Sequence, residues 1–150
     1  TDLMATCADL VEAKLPADTG VDSVSILPAL LGTDTKPLRE AVVHHSIRGA
    51  FSIRRGDWKL ELCPGSGGWS APRPGRGNLA KLPAYQLYNL KENIGETENL
   101  QAKHPEVVKE LTTLLQSYVD RGRSTPGTSQ ANHGTVNIYQ AGREAQGKKK

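Results

Sequence analysis

The sequence predicts an α+β fold: a small four-stranded antiparallel sheet packed against a C-terminal amphipathic helix. Three observations carry that expectation. From Ala41 to Cys63 apolar and polar residues alternate with the period of two of a half-buried strand, and "YQLYNL", from Tyr85 to Leu90, repeats the pattern. The pairs Arg48-Gly49 and Gly56-Asp57 fall where chain reversals are needed, which makes the first stretch a three-strand meander. From Pro105 to Arg121 the period lengthens to that of a helix, and Val107, Val108, Leu111, Leu114, Leu115, Tyr118 and Val119 form one broad apolar stripe.

Along the chain, "TDLMATCADLVEAKLP" comes first. Leu3, Met4, Cys7, Leu10 and Val11 recur at helical spacing, Thr1 or Asp2 can cap the first turn, and Pro16 blocks continuation. A helix with one apolar face must pack on something, and a larger body would suit it. The next stretch, to Glu40, mixes turn residues with short aliphatic clusters. It suits a surface connector with one helical turn, Ile26, Leu27, Leu30 and Leu31 pinned beneath it. In the meander, Val43, His45 and Ile47 share one face, followed by Phe51 and Ile53 and then Trp58, Leu60 and Leu62. His45 is accordingly expected to be core or half-buried, while His44 shares the opposite face with Ser46. A long Gly/Pro loop leads to the fourth strand. Pro105 suits the first position of the final helix and Gly122 the residue just past its end. Beyond Arg123 the composition turns polar; "TVNIYQ", Thr135 to Gln140, keeps strand character, and the last ten residues read as disordered.

Length and composition agree with this plan. The chain has 150 residues, enough for one ordinary domain, since single cores typically need about 100–150 residues. Its hydrophobic fraction of 37%, with 15 Gly and 9 Pro, implies a modest core and long loops. The formal net charge of +3 equals the contribution of Lys148, Lys149 and Lys150 alone, so the body is near neutral. Arg54, Arg55 and Lys59 are the nearest approach to a basic patch and read as a solvated strand edge. No nucleic-acid partner is expected. Nor does any run have the length and apolarity of a membrane span or the pattern of a signal peptide. Cys7 and Cys63 sit in unlike surroundings and read as free, buried thiols.

Candidate chemistry is sparse. "LCPGSGGWSAPRPGRG", Leu62 to Gly77, places Gly65-Ser66-Gly67-Gly68 after a strand, but neither the Gly-Lys-Ser/Thr ending of a phosphate loop nor a helix follows. Cys63 as a nucleophile would need a base or a positive neighbour; the meander offers only His44 and His45, and a small apolar residue ending a strand is the simpler reading. Adjacent histidines on a strand point to opposite faces, so one metal site cannot easily use both. A role for them in contacting a ligand supplied from elsewhere is more plausible. His104 and His133 carry no signal. The residues alone therefore give no activated nucleophile, paired carboxylates or metal constellation, and the chain reads as an accessory half.

The wording of the sequence is more specific. Arg54 to Leu60 forms an R-x-G-x-W-K-L pattern; Leu87-Tyr88-Asn89-Leu90 leads into Gly95-Glu96-Thr97-Glu98-Asn99-Leu100; "TDLMATCADL" and "DSVSILPALLG" precede both. In this order, over roughly Thr1 to Gly127, the chain resembles the C-terminal region of sulfatases of the arylsulfatase type. Physically, the second motif must turn the chain from strand towards helix, with Gly95 able to take positive φ and Leu100 anchoring the exit.

The resemblance implies residues 1–40 as the end of a catalytic domain and its connector, 41–123 as the C-terminal subdomain, and 124–150 as an extended, partly disordered tail. It further implies hydrolysis of sulfate esters by the intact parent protein. Such enzymes use a formylglycine made from a C-x-P-x-R or S-x-P-x-R type motif, a calcium ion, and cationic groups around the sulfate. These lie in the larger N-terminal catalytic domain, which would be this chain's partner, and none is bound by this chain. "CPGSG" at Cys63 and "CADLV" at Cys7 both miss the motif. By the same resemblance His44, His45, Trp69 and Ser70 contribute to the rim of the substrate cleft, and the parent is exported to the periplasm or secreted. Aryl sulfates, sulfated sugars and sulfolipids all remain possible substrates. The alternative is a non-catalytic, sulfatase-like binding or interaction module.

Overall fold

Alternation in the meander is realised as three short strands, β1 (Val42–His45), β2 (Phe51–Arg55) and β3 (Trp58–Glu61), and the fourth run as β4 (Gln86–Asn89). The computed structural model describes residues 1–73 and 79–139. The strands form one antiparallel sheet in the order β1-β2-β3-β4. Gly49 and Gly56 occupy the two tight reversals with φ of 78° and 58°, which explains glycine at both. Residues 74–78 of the long Gly/Pro loop, and the last ten residues expected to be disordered, lie outside the described residues.

Register decides which face is which. Val43, Ile53, Leu60 and Leu87 are successive cross-strand partners, so their side chains share one face. Ile53, Leu60 and Leu87 have no exposed surface, and the final helix α3 (Pro105–Arg121) packs on this face with Leu111 and Leu115 equally buried. Burying each such aliphatic side chain contributes about 1.5–3 kcal/mol before entropy is subtracted. An ion pair between Arg55 and Glu110 ties β2 to α3. Pro105 opens the helix and Gly122, at φ 62°, closes it, as the sequence predicts.

The outer edge of β4 is covered by the segment that follows it. Asn99 Oδ1 accepts from the Leu87 N–H at 3.0 Å, its amide donates to the Tyr85 carbonyl at 2.9 Å, and the Leu100 N–H donates to the Leu87 carbonyl at 2.8 Å. Asn99-Leu100 thereby closes a sheet edge that would otherwise template pairing with another strand. The expected positive φ at Gly95 is not there; it falls on Glu96, at φ 53°.

The described residues divide into two units, one comprising Thr1–Glu40 and Ser117–Val136, the other running Ala41–Gln116 and resuming at Asn137. In the first, helix α1 (Leu3–Leu10) runs beside the segment leading to the single-turn helix α2 (Leu27–Leu30). Asp2 precedes α1 without capping it; its carboxylate takes the Val24 N–H at 3.1 Å and the Arg39 guanidinium instead. Thr6 Oγ1 accepts from the Ile26 N–H at 3.0 Å, and Ser23 Oγ from the Ala5 N–H at 2.9 Å. Leu30 and Leu31, expected to be pinned, are 68% and 65% exposed, because α2 ends after one turn and the polar contacts hold only its start. The end of α3 belongs here too: Tyr118 donates to Glu40 Oε2 at 3.1 Å. Beyond it Arg123 is buried, donating to the carbonyls of Ala17, Thr125 and Thr128 and to Thr125 Oγ1 at 2.8–3.2 Å.

Three expectations fail at the ends of elements. Ile47 lies in the β1–β2 turn, 68% exposed, rather than extending the apolar face of β1. His45 is exposed as well: it closes an edge strand, with the edge-on ring of Phe51 4.1 Å away between centroids. From Thr135 to Tyr139 there is no strand. The Tyr139 N–H is spent on Asn137 Oδ1 at 2.9 Å, a local turn that competes with ladder pairing, although Ile138 is buried. Gln140 lies outside the described residues.

Candidate functional site

The face of the sheet turned away from α3 is polar, and register again assembles it. His44, Ser52, Glu61 and Gln86 form one cross-strand row; Val42, Arg54, Lys59 and Tyr88 form the next. A groove of about 410 Å³ is lined by residues of this face, among them His44, Ser52, Arg54, Lys59 and Glu61, and also by His45 and Phe51, which the register places on the opposite face.

Lys59 sits at its centre between two carboxylates. Its ammonium lies 2.8 Å from Glu61 Oε1 and 2.8 and 2.9 Å from the two oxygens of Glu96. Burial pulls the lysine pKa down, but the hydrogen bonds and charges of Glu61 and then Glu96 outweigh it and leave it raised. Glu96 reaches Lys59 from the turn after β4 with its backbone in the left-handed region, where a side chain other than glycine costs about 1–2 kcal/mol. Gln86 braces the next row: its amide donates to the Cys63 carbonyl at 2.9 Å and the Gly65 carbonyl at 2.6 Å, and its Oε1 accepts from the Tyr88 hydroxyl at 2.8 Å. Burial, with Glu61 and Glu96 adding to it, pushes the Tyr88 hydroxyl up. Ser52 is the exception to this satisfied network. Its Oγ is buried and finds no hydrogen-bond partner among the described residues.

Of the site residues expected from sequence, His44 and His45 line the groove. Trp69 and Ser70 do not. Trp69 is 72% exposed, and Ser70 contributes its carbonyl to Ser66 Oγ at 2.6 Å, holding the loop after β3. That loop is close-packed: a Cβ at Gly65 would come within 2.6 Å of the Pro72 carbonyl, and one at Gly67 within 3.0 Å of Cys63 Sγ. Ser66 nevertheless reaches the groove. Sequence reasoning missed Ser52, Lys59, Glu61 and Glu96. The first three carry a usable signal, since the meander places Ser52 and Glu61 on the face of His44. Glu96 carries none, because its approach depends on a left-handed backbone conformation at a residue other than glycine.

Cys63, two residues past the end of β3, is a buried thiol that donates weakly to the Gly65 carbonyl at 3.6 Å. Burial, reinforced by Glu61, pushes its pKa to about 11, which removes the thiolate at neutral pH. Cys7, expected to be buried, is exposed, since nothing described packs over that face of α1; both thiols are free. The formylglycine and calcium that the resemblance assigns to the parent do not fit here. Neither cysteine has the required motif, and among the described residues no three His, Cys, Asp or Glu side chains are grouped to hold a metal. No described helix is long and apolar enough to cross a membrane.

Comparison with known proteins gives these features a context. No family model matches the chain. An N-acetylgalactosamine-6-O-sulfatase of Bacteroides thetaiotaomicron is 33% identical over 123 residues, covering 80% of this chain and 23% of the relative. A solved structure concerned with the metabolism of multiple glycosaminoglycans by the same bacterium superposes with a TM-score of 0.62 at 32% identity, over 80% of this chain and 24% of its own. Two more distant structures share the fold. One is a 2-O glycosaminoglycan sulfatase (TM-score 0.54, 22% identity, 86% of this chain and 27% of that one); the other was solved with its substrate D-glucosamine-2-N,6-O-disulfate (TM-score 0.56, 22% identity, 82% and 25%). In sequence and fold the chain thus matches part of bacterial sulfatases, and it spans about a quarter of their length.

Proposed function

We propose that this chain is the C-terminal region of a sulfatase whose intact form hydrolyses sulfate esters of amino sugars. The observation that carries the reading is the 33% identity to an N-acetylgalactosamine-6-O-sulfatase, sustained over most of this chain. The chain's own part is support for the catalytic body and one wall of the substrate cleft. Residues 1–40 close the catalytic domain, 41–123 form the C-terminal subdomain, and 124–150 the tail. Formylglycine and calcium chemistry belongs to the N-terminal portion, and the parent is exported. The open apolar side of α1, where Leu3, Leu10 and Val11 are 75%, 64% and 70% exposed, supports this reading, because such surface marks a missing partner. His44 and His45, in the groove, and Trp69 and Ser70, on the neighbouring loop, contact the substrate.

Substrate class is tested on the intact parent by following sulfate release from N-acetylgalactosamine 6-sulfate and from 4-nitrophenyl sulfate. The reading expects the sugar to be the better substrate by kcat/KM. Preference for the aryl ester would point to an arylsulfatase, and release from neither would overturn the sulfatase assignment.

A further inference from the structure

We infer that the polar sheet face is a subsite for an uncharged sugar unit, with the buried Ser52 hydroxyl as its specificity-determining contact. This rests on the sulfatase reading for its substrate class, while Ser52, Lys59, Glu61 and Glu96 are residues that the resemblance does not assign. Ser52 retains 9% exposure and its Oγ has no partner among the described residues, although almost every buried hydroxyl in a folded protein finds one. It stands in the cross-strand row between His44 and Glu61 and lines the groove with both. A group that reaches Ser52 therefore comes within reach of an imidazole and a carboxylate.

Charge selects the class of ligand. Arg54 and Lys59 balance Glu61 and Glu96, so the four fixed charges of the lining sum to zero. Lys59, the central cation, is spent on its two carboxylates. The anionic sulfate ester of a sulfated sugar entering here would meet Glu61 and Glu96 as well as Lys59. A hydroxyl meets complementary partners instead: carboxylate oxygens with spare lone pairs as acceptors, and the serine as donor or acceptor. The volume of about 410 Å³ is in the range of small-molecule sites. The sulfated unit is handled by the catalytic body, and the sheet face takes an unsulfated neighbour along the glycan.

The test is binding of an unsulfated N-acetylgalactosamine oligosaccharide to the intact parent by calorimetry, with excess inorganic sulfate as competitor, for wild type and Ser52→Ala. The expected result is binding that sulfate does not displace, weakened about tenfold in Ser52→Ala, as for loss of one well-placed hydrogen bond. Its melting temperature should be unchanged or higher, because an unpaired hydroxyl has been removed. No binding by wild type, displacement by sulfate, or equal affinity in the variant would each overturn the inference. Sulfate release from N-acetylgalactosamine 6-sulfate, measured on the wild-type protein, reports separately on the sulfatase reading. If it persists while oligosaccharide binding fails, only the subsite is wrong.

Discussion

Lys59 shows how much a single residue can organise. With 21% of its side chain exposed, it holds Glu61 and Glu96 at hydrogen-bond distance, and without it two carboxylates would face each other. Lys59→Met is expected to cost about 1–2 kcal/mol in the stability of the sheet unit, a partly screened version of breaking a buried pair, as measured by urea unfolding. The pH dependence follows from direction. A group whose pKa is raised on folding stabilises below its unfolded value and loses that contribution as pH climbs to the folded one. For Cys63 the loss runs from 9.0 to about 11, and for Lys59 it begins above 10.5. Stability should therefore be flat from neutral pH to about 9 and fall beyond it, with a smaller fall in Cys63→Ala; an equal fall in that variant would contradict the assignment. The two thiols also separate: Cys7 should react with a thiol reagent at pH 8 within minutes, and Cys63 only on unfolding.

At the scale of elements, period and punctuation made much of the fold legible. The meander, the fourth strand and the final helix follow from alternation, from glycine at the reversals and from Pro105 and Gly122 at the helix ends. Their shared inward face follows too, and Ile53→Ala at its centre should cost about 2–5 kcal/mol. The misses are where a local rule met a tertiary contact. His45 ends the edge strand and Ile47 falls in the turn after it, and both are exposed. Glu96 rather than Gly95 is left-handed, and its carboxylate is held by Lys59. The polar stretch after Arg123 gave no hint that the arginine would be buried by carbonyls more than a hundred residues earlier in sequence, at Ala17, and close by, at Thr128. Gly122 probes that packing directly. A Cβ there would lie 2.1 Å from the Gln130 carbonyl oxygen at a φ of 62°, so Gly122→Ala should destabilise by more than about 2 kcal/mol, read as a drop in the denaturation midpoint.

For the whole molecule, the sequence was most informative through its wording rather than its chemistry. The motifs from Arg54 to Leu60 and from Leu87 to Leu100 pointed to sulfatases, and the match in sequence and fold agrees, while the groove chemistry depended on register and stayed hidden. The exposed apolar side of α1 is where the proposed dependence on a larger body is open to challenge. Leu10→Ser should change the stability of the isolated chain by less than about 0.5 kcal/mol, since the side chain is 64% exposed, yet weaken association with the catalytic portion. The most direct measurement is reconstitution: the catalytic portion of the parent is produced without this region, and sulfate release from N-acetylgalactosamine 6-sulfate is followed with and without the separately produced chain. The account predicts little or no release from either part alone and recovery on mixing. Full activity of the catalytic portion by itself, or none after mixing when the intact parent is active, would contradict it.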